Sequence, residues 1–294
     1  MSDPLEFPPD TGAPDDALER HAAALHAGPP AAFGALVIGD EILSGRRQDR
    51  HMAALIAALN ARGLQLAWAR YVGDEPAQIE EALAWAARQP TPAFSFGGIG
   101  ATPDDHTRAC AARALGRPLH RHEGAQALIH TRAAEMAQEK GVSYDPDRPE
   151  NRHRLHMGVL PQGARLIHNP YNRIPGFSVA HLHFVPGFPV MAHPMLEEVL
   201  DREYAAWHHR GAWLERAIIV FDTFESRLTP LMERIEAQHP GVRVFSLPSV
   251  AHPQHGPHIE LGVKGEPQCT EAAYAQLLGE LRTLSVRFQE MIST

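Results

Sequence analysis

The chain has 294 residues, a formal net charge of −8 with its histidines neutral, and 44% hydrophobic residues. That length allows one large core or two domains. The mildly acidic balance, with no basic tract, argues against nucleic acid held by electrostatics. Cys110 and Cys269 stand too far apart in sequence for a disulfide framework or a CxxC metal site. No apolar run reaches the ~20 residues of a membrane span, and the N-terminus lacks a signal-peptide pattern, so a cytoplasmic protein is expected.

Residues 1–31 read as a flexible tail broken by prolines, with a short helix expected over Asp16 to Ala27. Phe33 to Ile38 is an apolar strand that runs into Gly39-Asp40-Glu41-Ile42-Leu43-Ser44-Gly45. Gln48 to Arg62 has helix spacing through Met52, Leu55, Ile56 and Leu59, and Gly63 follows at the helix stop. A second strand, Leu64 to Val72, ends at Gly73-Asp74. A second helix spans Pro76 to Arg88. Pro92 to Phe96 is a short buried strand. This alternation predicts a parallel sheet covered by helices, with ligands bound beyond the carboxyl ends of its strands.

The stretch after the third strand carries the strongest signal. Gly97, Gly98 and Gly100 allow sharp turns and close approach to bare amides, and a helix beginning near His106 adds the positive end of its dipole. Asp104 and Asp105 would repel a phosphate unless a divalent cation joined them. Asp40, Glu41, Asp74, Asp104 and Asp105 all fall at carboxyl ends of predicted strands. Acids also favour helix starts for dipole reasons, which by itself explains Asp74.

Further along, Gly124 to Lys140 and Asn151 to Val159 read as helices. Arg165 to His168, Phe177 to Ala180 and His183 to Val185 read as short strands, the last two as a hairpin or an irregular bend. Pro186-Gly187-Phe188-Pro189 leads into a helix over Val190 to Tyr204. The remaining segment predicts strands at Ala217 to Phe221, Val242 to Ser246 and Ile259 to Val263, with helices at Ser226 to Gln238 and Thr270 to Phe288. The expected organisation is a tail over 1–31, an α/β domain over 32–205 and a small β-α-β-β-α domain over 214–294.

Six motifs occur in a fixed order: Gly39 to Gly45, Val72-Gly73-Asp74, Gly97 to Asp105, Leu160-Pro161-Gln162-Gly163-Ala164, Pro175-Gly176-Phe177 and Pro186 to Pro189. Together they resemble the molybdopterin-binding (MoaB/Mog-like) domain, in the form found at the N-terminus of CinA-type proteins. The same type of domain precedes the synthetase of some eukaryotic FAD synthases. The resemblance covers Phe33 to Tyr204 and implies a three-layer α/β/α fold. It also implies that the Gly-Gly-x-Gly loop cradles a terminal phosphate while acids act with a metal. CinA-type relatives imply a metal-dependent pyrophosphatase that splits ADP-ribose.

Carried over residue by residue, Asp40, Asp104 and Asp105 would be catalytic, with Asp104 and Asp105 holding Mg²⁺ or a similar ion. Gly39, Glu41, Gly45, Asp74, Gly97, Gly98, Gly100, Thr102, Asn169, Pro186 and Gly187 would bind the ligand, a nucleotide or a molybdopterin. Two alternatives stand beside hydrolysis: a pterin or nucleotide binder without turnover, and a molybdenum-cofactor biosynthesis factor. The resemblance further implies a homo-oligomer, dimer or trimer, with no nucleic-acid or membrane partner. The second domain resembles the small domain that follows in CinA-like proteins, Phe224-Glu225-Ser226 matching their Gly-Glu-Ser turn in part. The C-terminal deamidase domain of full-length relatives is not expected here.

The departures cluster on one side. Asp49-Arg50-His51 replaces an Asp-Thr-Asn pattern, and Ala101 stands where the loop usually has Pro. Asn172-Arg173-Ile174 replaces Gly-Thr-Ala, and Val190-Met191-Ala192 replaces Ser-Glu-Met. The phosphate loop and acids are kept, while the substrate-reading side is changed. Arg46 and Arg47 either reach a diphosphate or solvate a loop. Of the nineteen histidines, His181, His183 and the run His252, His255, His258 are read as exposed, since no acid or cysteine completes a zinc set. Cys110 is expected in the core.

Overall fold

In the computed structural model, residues 17–27, 32–209, 214–251 and 255–290 are described. The remainder of the expected tail, the joint at 210–213 and His252 lie outside them. The chain divides into two compact units, Met1–Arg210 and Gly211–Thr294.

The first unit begins with α1 (Ala17–Ala27) and β1 (Ala32–Ile38), followed by a single turn, α2 (Asp40–Leu43). Then come α3 (His51–Asn60), β2 (Gln65–Val72), α4 (Pro76–Ala86), β3 (Ala93–Phe96) and α5 (Thr107–Ala114). After β4 (Leu119–Arg121) lie α6 (Glu123–Glu139), α7 (Pro149–Leu155) and β5 (Val159–Pro161), and β4 pairs with β5 as a two-stranded antiparallel sheet. β6 (Arg165–Ile167), β7 (Gly176–Val179), β8 (Leu182–Val185) and α8 (Pro189–Glu203) complete the unit.

The main sheet has the order β2-β1-β3-β8-β7-β6. Its first four strands are parallel. These four are the parallel part that the β-α-β alternation predicted; β7 runs antiparallel to both β8 and β6, so the sheet is mixed and Phe177 to Val185 is a hairpin. The inner strands β1 and β3 are almost wholly buried apolar runs because helices cover both faces, while the edge strand β2 alternates exposed and half-buried residues. On one face Phe33, Val37, Phe94 and Phe96 pack with Leu55 and Leu59 of α3 and Leu196 and Leu200 of α8. On the other, Leu36, Ile38 and Phe184 pack with Ile79 and Leu83 of α4 and Cys110 of α5. The result is a three-layer α/β/α domain, with Cys110 fully buried as expected.

α1 falls within the segment read as a tail, yet it packs on this domain. Ala22 is buried, Glu19 pairs with the buried Arg117 at 2.9 Å, and a His21 ring nitrogen meets the Gln89 carbonyl at 3.0 Å. The histidine expectation also needs correcting, because His181 and His183 are fully buried. His183 bridges Ser178 Oγ at 2.8 Å and the Tyr204 hydroxyl at 2.7 Å, which makes it a satisfied core polar group.

The second unit holds β9 (Leu214–Val220), α9 (Glu225–Gln238), β10 (Arg243–Ser249), β11 (His258–Gly265), α10 (Pro267–Thr283) and β12 (Phe288–Glu290). Its sheet, β10-β11-β9-β12, is antiparallel throughout. Ile218, Val220, Leu261 and Val263 face Leu228, Leu231, Leu277 and Leu281 of the two helices. The last helix stops short of the expected Phe288: Ser285 adopts φ 55°, the chain turns, and Phe288 joins β12. This makes the unit β-α-β-β-α-β.

Candidate functional site at the carboxyl edge of the parallel strands

Ile38 lies opposite Val72, Val37 opposite Phe96, and Phe96 opposite Val185. Four strands therefore end in register, and the loops that follow them share one edge. These loops are 39–45, 73–74, 97–106 and 186–188. β1 leads on to β2 on one side while β3 leads on to strands on the other, so the connections after these two neighbours leave in opposite directions and open a crevice at this edge.

The loop after β3 is built by its backbone. Gly97 and Gly98 have φ of 100° and 67°. A Cβ on Gly97 would strike the Ile38 carbonyl, and one on Gly98 would strike Thr107 Oγ1. Thr107, fully buried, donates its hydroxyl to the Gly97 carbonyl at 3.1 Å and its amide to the Gly98 carbonyl at 3.0 Å. These bonds pin the loop to the start of α5.

Asp105 braces the same loop from inside. Its Oδ1 accepts the Gly100 amide at 2.8 Å, and its Oδ2 accepts the Thr102 amide at 2.8 Å and the Thr102 hydroxyl at 2.6 Å. Both oxygens expected to hold a metal are thus engaged by the loop itself. The amides of Gly98, Ile99 and Ala101 donate to no protein group among the described residues.

Arg108, which sequence reasoning passed over, closes the underside. Its Nη1 donates to the carbonyls of Ile99 and, at 2.6 Å, Gly100. Burial pushes its guanidinium down to about 10. A cation in the first turn of a helix opposes the dipole; that misplacement was the signal that the side chain is held elsewhere.

The expected acids do converge. The Asp40 amide donates to Asp74 Oδ2 at 2.9 Å, and the Asp74 amide donates to Asp40 Oδ1 at 3.2 Å. Burial raises the Asp74 carboxyl above the ordinary range, and the charges of Asp40, Glu41 and Asp104 add to that rise. Asp104 is exposed. So Asp40, Glu41, Asp74 and Asp104 share one electrostatic neighbourhood, while Asp105 belongs to the loop. Even so, no three His, Cys, Asp or Glu side chains among the described residues are arranged as a ready set of metal ligands.

The far wall is the loop after β8. Gly187 lies against Gly97, and its carbonyl meets His51 Nε2 at 3.2 Å. His51 is buried, stacks on Phe96 with centroids 4.7 Å apart, and stays below the usual imidazole range mainly through desolvation. Asp49 caps this helix start by accepting the His51 amide at 2.7 Å and the Met52 amide at 3.2 Å. It also takes the Tyr71 hydroxyl at 2.7 Å. Burial and this bond push Tyr71 up to about 12.

Asn169, expected at the ligand, is instead buried in its own turn. It donates to Asn172 Oδ1 at 2.8 Å and to the Ile174 carbonyl at 2.9 Å. Arg46 and Arg47 are exposed. A cavity of about 530 Å³ lies away from this edge, among α1, β6 and α8; its charges are already paired, Arg165 with Glu203 and Arg202 with Glu198.

Residues 34–205 match the family described as "Probable molybdopterin binding domain". The chain belongs to the molybdopterin-binding domain family. Within it, the chain is of the MoaB/Mog-like, CinA type. It is 31% identical over 212 residues to a CinA-like protein of Syntrophotalea carbinolica, which covers 68% of this chain and 49% of that protein. It is 32% identical over 270 residues to a CinA-like protein of Myxococcus xanthus, which covers 88% of this chain and 59% of that one. The chain thus spans about half the length of these CinA-like relatives. Among solved structures, the protein CinA from Thermoplasma acidophilum is 26% identical, with a TM-score of 0.49, covering 58% of this chain and 97% of that one. No helix among the described residues is long and apolar enough to cross a membrane.

Proposed function

We propose that this molybdopterin-binding domain protein binds a phosphorylated small molecule, a pterin or a nucleotide, with its phosphate on the loop after β3. The observation that carries this reading is the set of three unclaimed amides, Gly98, Ile99 and Ala101, on a loop fixed by Thr107, Asp105 and Arg108. A preformed row of N–H donors at the start of a helix suits an anion, and it needs no reorganisation on binding. Ala101 contributes an amide that proline at this position would lack. Calorimetry with molybdopterin, AMP, ADP-ribose and FAD tests the reading. Affinity for at least one of these, and none for the dephosphorylated counterpart, is expected; a wild-type protein that binds none of the four contradicts it.

A second reading, metal-dependent hydrolysis of a nucleotide diphosphate such as ADP-ribose, is favoured by the raised carboxyl of Asp74 among Asp40, Glu41 and Asp104. A divalent cation would relieve that repulsion. Incubation with ADP-ribose and Mg²⁺, Mn²⁺ or Co²⁺ should then release AMP, and no AMP with any ion leaves the binding role alone. A homo-oligomer is part of the same proposal and is checked by native mass.

A further inference from the structure

A second cavity, of about 330 Å³, opens between the β4–β5 pair and the helices α6 and α7. Its size falls at the lower end of small-molecule sites. One wall is apolar, formed by Leu155 and Val159. The lining also carries Arg121, Arg152 and His130, with Arg121 directly across the strand pair from Val159 and Arg152 one helical turn before Leu155. Arg121 is exposed and makes no side-chain hydrogen bond or ion pair among the described residues. Arg152 is held to Asp147, also in the lining, at 3.2 Å. That pair is solvent-exposed and worth little, so an incoming dianion displaces it at small cost. A His130 ring nitrogen is fixed by the Tyr144 hydroxyl at 2.5 Å, and the Gln126 amide is anchored on the Leu155 carbonyl at 2.7 Å. His130 and Gln126 are therefore oriented before any ligand arrives, and the two arginines are free to close on one.

Two histidines stand beside it, and the site's positive charge is that of Arg121 and Arg152. His153 and His156 stack with centroids 5.1 Å apart. Burial holds His156 below the usual imidazole range, and the neighbouring charges of His153, Arg108 and Arg121 hold it lower still. The chain as a whole is acidic, so a concave site with this sign of charge focuses anions against the general field. Arginine forks match phosphate oxygens two at a time, and the apolar wall gives an organic body somewhere to pack.

We propose that this cavity is a phosphomonoester site, distinct from the loop after β3, in which Arg121 and Arg152 take the phosphate and Leu155 and Val159 take the organic part. It stands on residues 121–159 alone and does not depend on what the carboxyl edge binds.

The test uses the whole chain and ribose 5-phosphate as probe, by calorimetry and by ¹H–¹⁵N spectra of the histidine rings. Wild type should bind ribose 5-phosphate and not ribose, with affinity falling as salt rises. Arg121→Ala should weaken binding about tenfold, and Arg121→Ala with Arg152→Ala should abolish it, since each removes a charge-assisted hydrogen bond to the phosphate. Ala101→Pro, at the other site, should leave this affinity unchanged. Both arginines are exposed, so the variants should melt with wild type, which separates lost binding from lost folding. His130 and His156 should shift on titration. The proposal is overturned if the arginine variants bind like wild type, if the shifts occur elsewhere, or if wild type binds no ribose 5-phosphate.

Discussion

The two sheets solve opposite problems. In the second unit, the packing layer is hydrophobic and the ion pairs, Arg216 with Glu271, Arg234 with Glu280 and Arg287 with Asp222, sit outside it. Its edge strand β10 is blunted: the Val244 amide is taken by Glu236 at 2.9 Å, and Pro248, of the same strand parity, has no amide to offer. In the first unit, the strand ends carry left-handed glycines, a carboxylate turned inward, a buried guanidinium and three unclaimed amides. One unit spends its sequence on closing itself. The other leaves unpaired donors at one edge and holds them rigid, and that contrast separates a site from a scaffold.

The sharpest way to break the contrast is one substitution made in both units. Gly98→Ala needs an unfavourable φ and runs into Thr107, so it should cost about 3 kcal/mol or more. Gly241→Ala, with φ 89° and open space around it, should cost only about 1 kcal/mol. Denaturant melts of each unit's signal check this, and equal losses would erase the distinction.

Next in size is the acidic pair. Asp105→Asn places an amide against donors that now face a carboxylate, and should cost about 2 kcal/mol with loss of ligand binding. Asp104→Asn should leave the melting temperature almost unmoved, because Asp104 is exposed. Mutual repulsion of two neighbouring carboxylates would by itself make the loss of either charge neutral or stabilising, so the two variants separate that effect from the bracing of the loop. Smaller again is Tyr204→Phe, which removes the hydroxyl facing His183. It should cost about 1 kcal/mol and leave ligand affinity intact, marking that network as core.

The smallest effect is a pH dependence. The folded Asp74 carboxyl titrates above its ordinary value of 3.8. The folded state therefore binds this proton more tightly than the unfolded one. The group's contribution is fully present below 3.8 and is lost as pH rises through the raised value. Asp74→Asn should be more stable than wild type at neutral pH by roughly a few tenths of a kcal/mol, the group being only half-buried. The gap should close in acid, and melts at pH 3.5 and pH 7.5 measure it.

The legible parts of the sequence are those where one residue type has one physical use. Gly97 and Gly98 between an apolar run and a helix could only be a tight turn, and Asp40 and Asp74 after strands could only gather at one edge. Asp104 and Asp105 look alike on paper; which of them turns inward depends on the path of the loop. Strands of three residues, such as β4, β5 and β12, are too short to show a period. Leu284 and Val286 continue the apolar spacing of α10, which hid the stop at Ser285. The reversal between β7 and β8 is open in the sequence as a hairpin or a bend, because strands of four residues show too little of a period to decide.

The central claim is that the amides of Gly98, Ile99 and Ala101 receive a phosphate. Backbone ¹H–¹⁵N spectra during titration with AMP, set against adenosine, test it most directly. The account predicts that these three amides move downfield with AMP alone, while the Gly100 and Thr102 amides, already held by Asp105, shift least among the loop residues. AMP binding that leaves all three unmoved would contradict it.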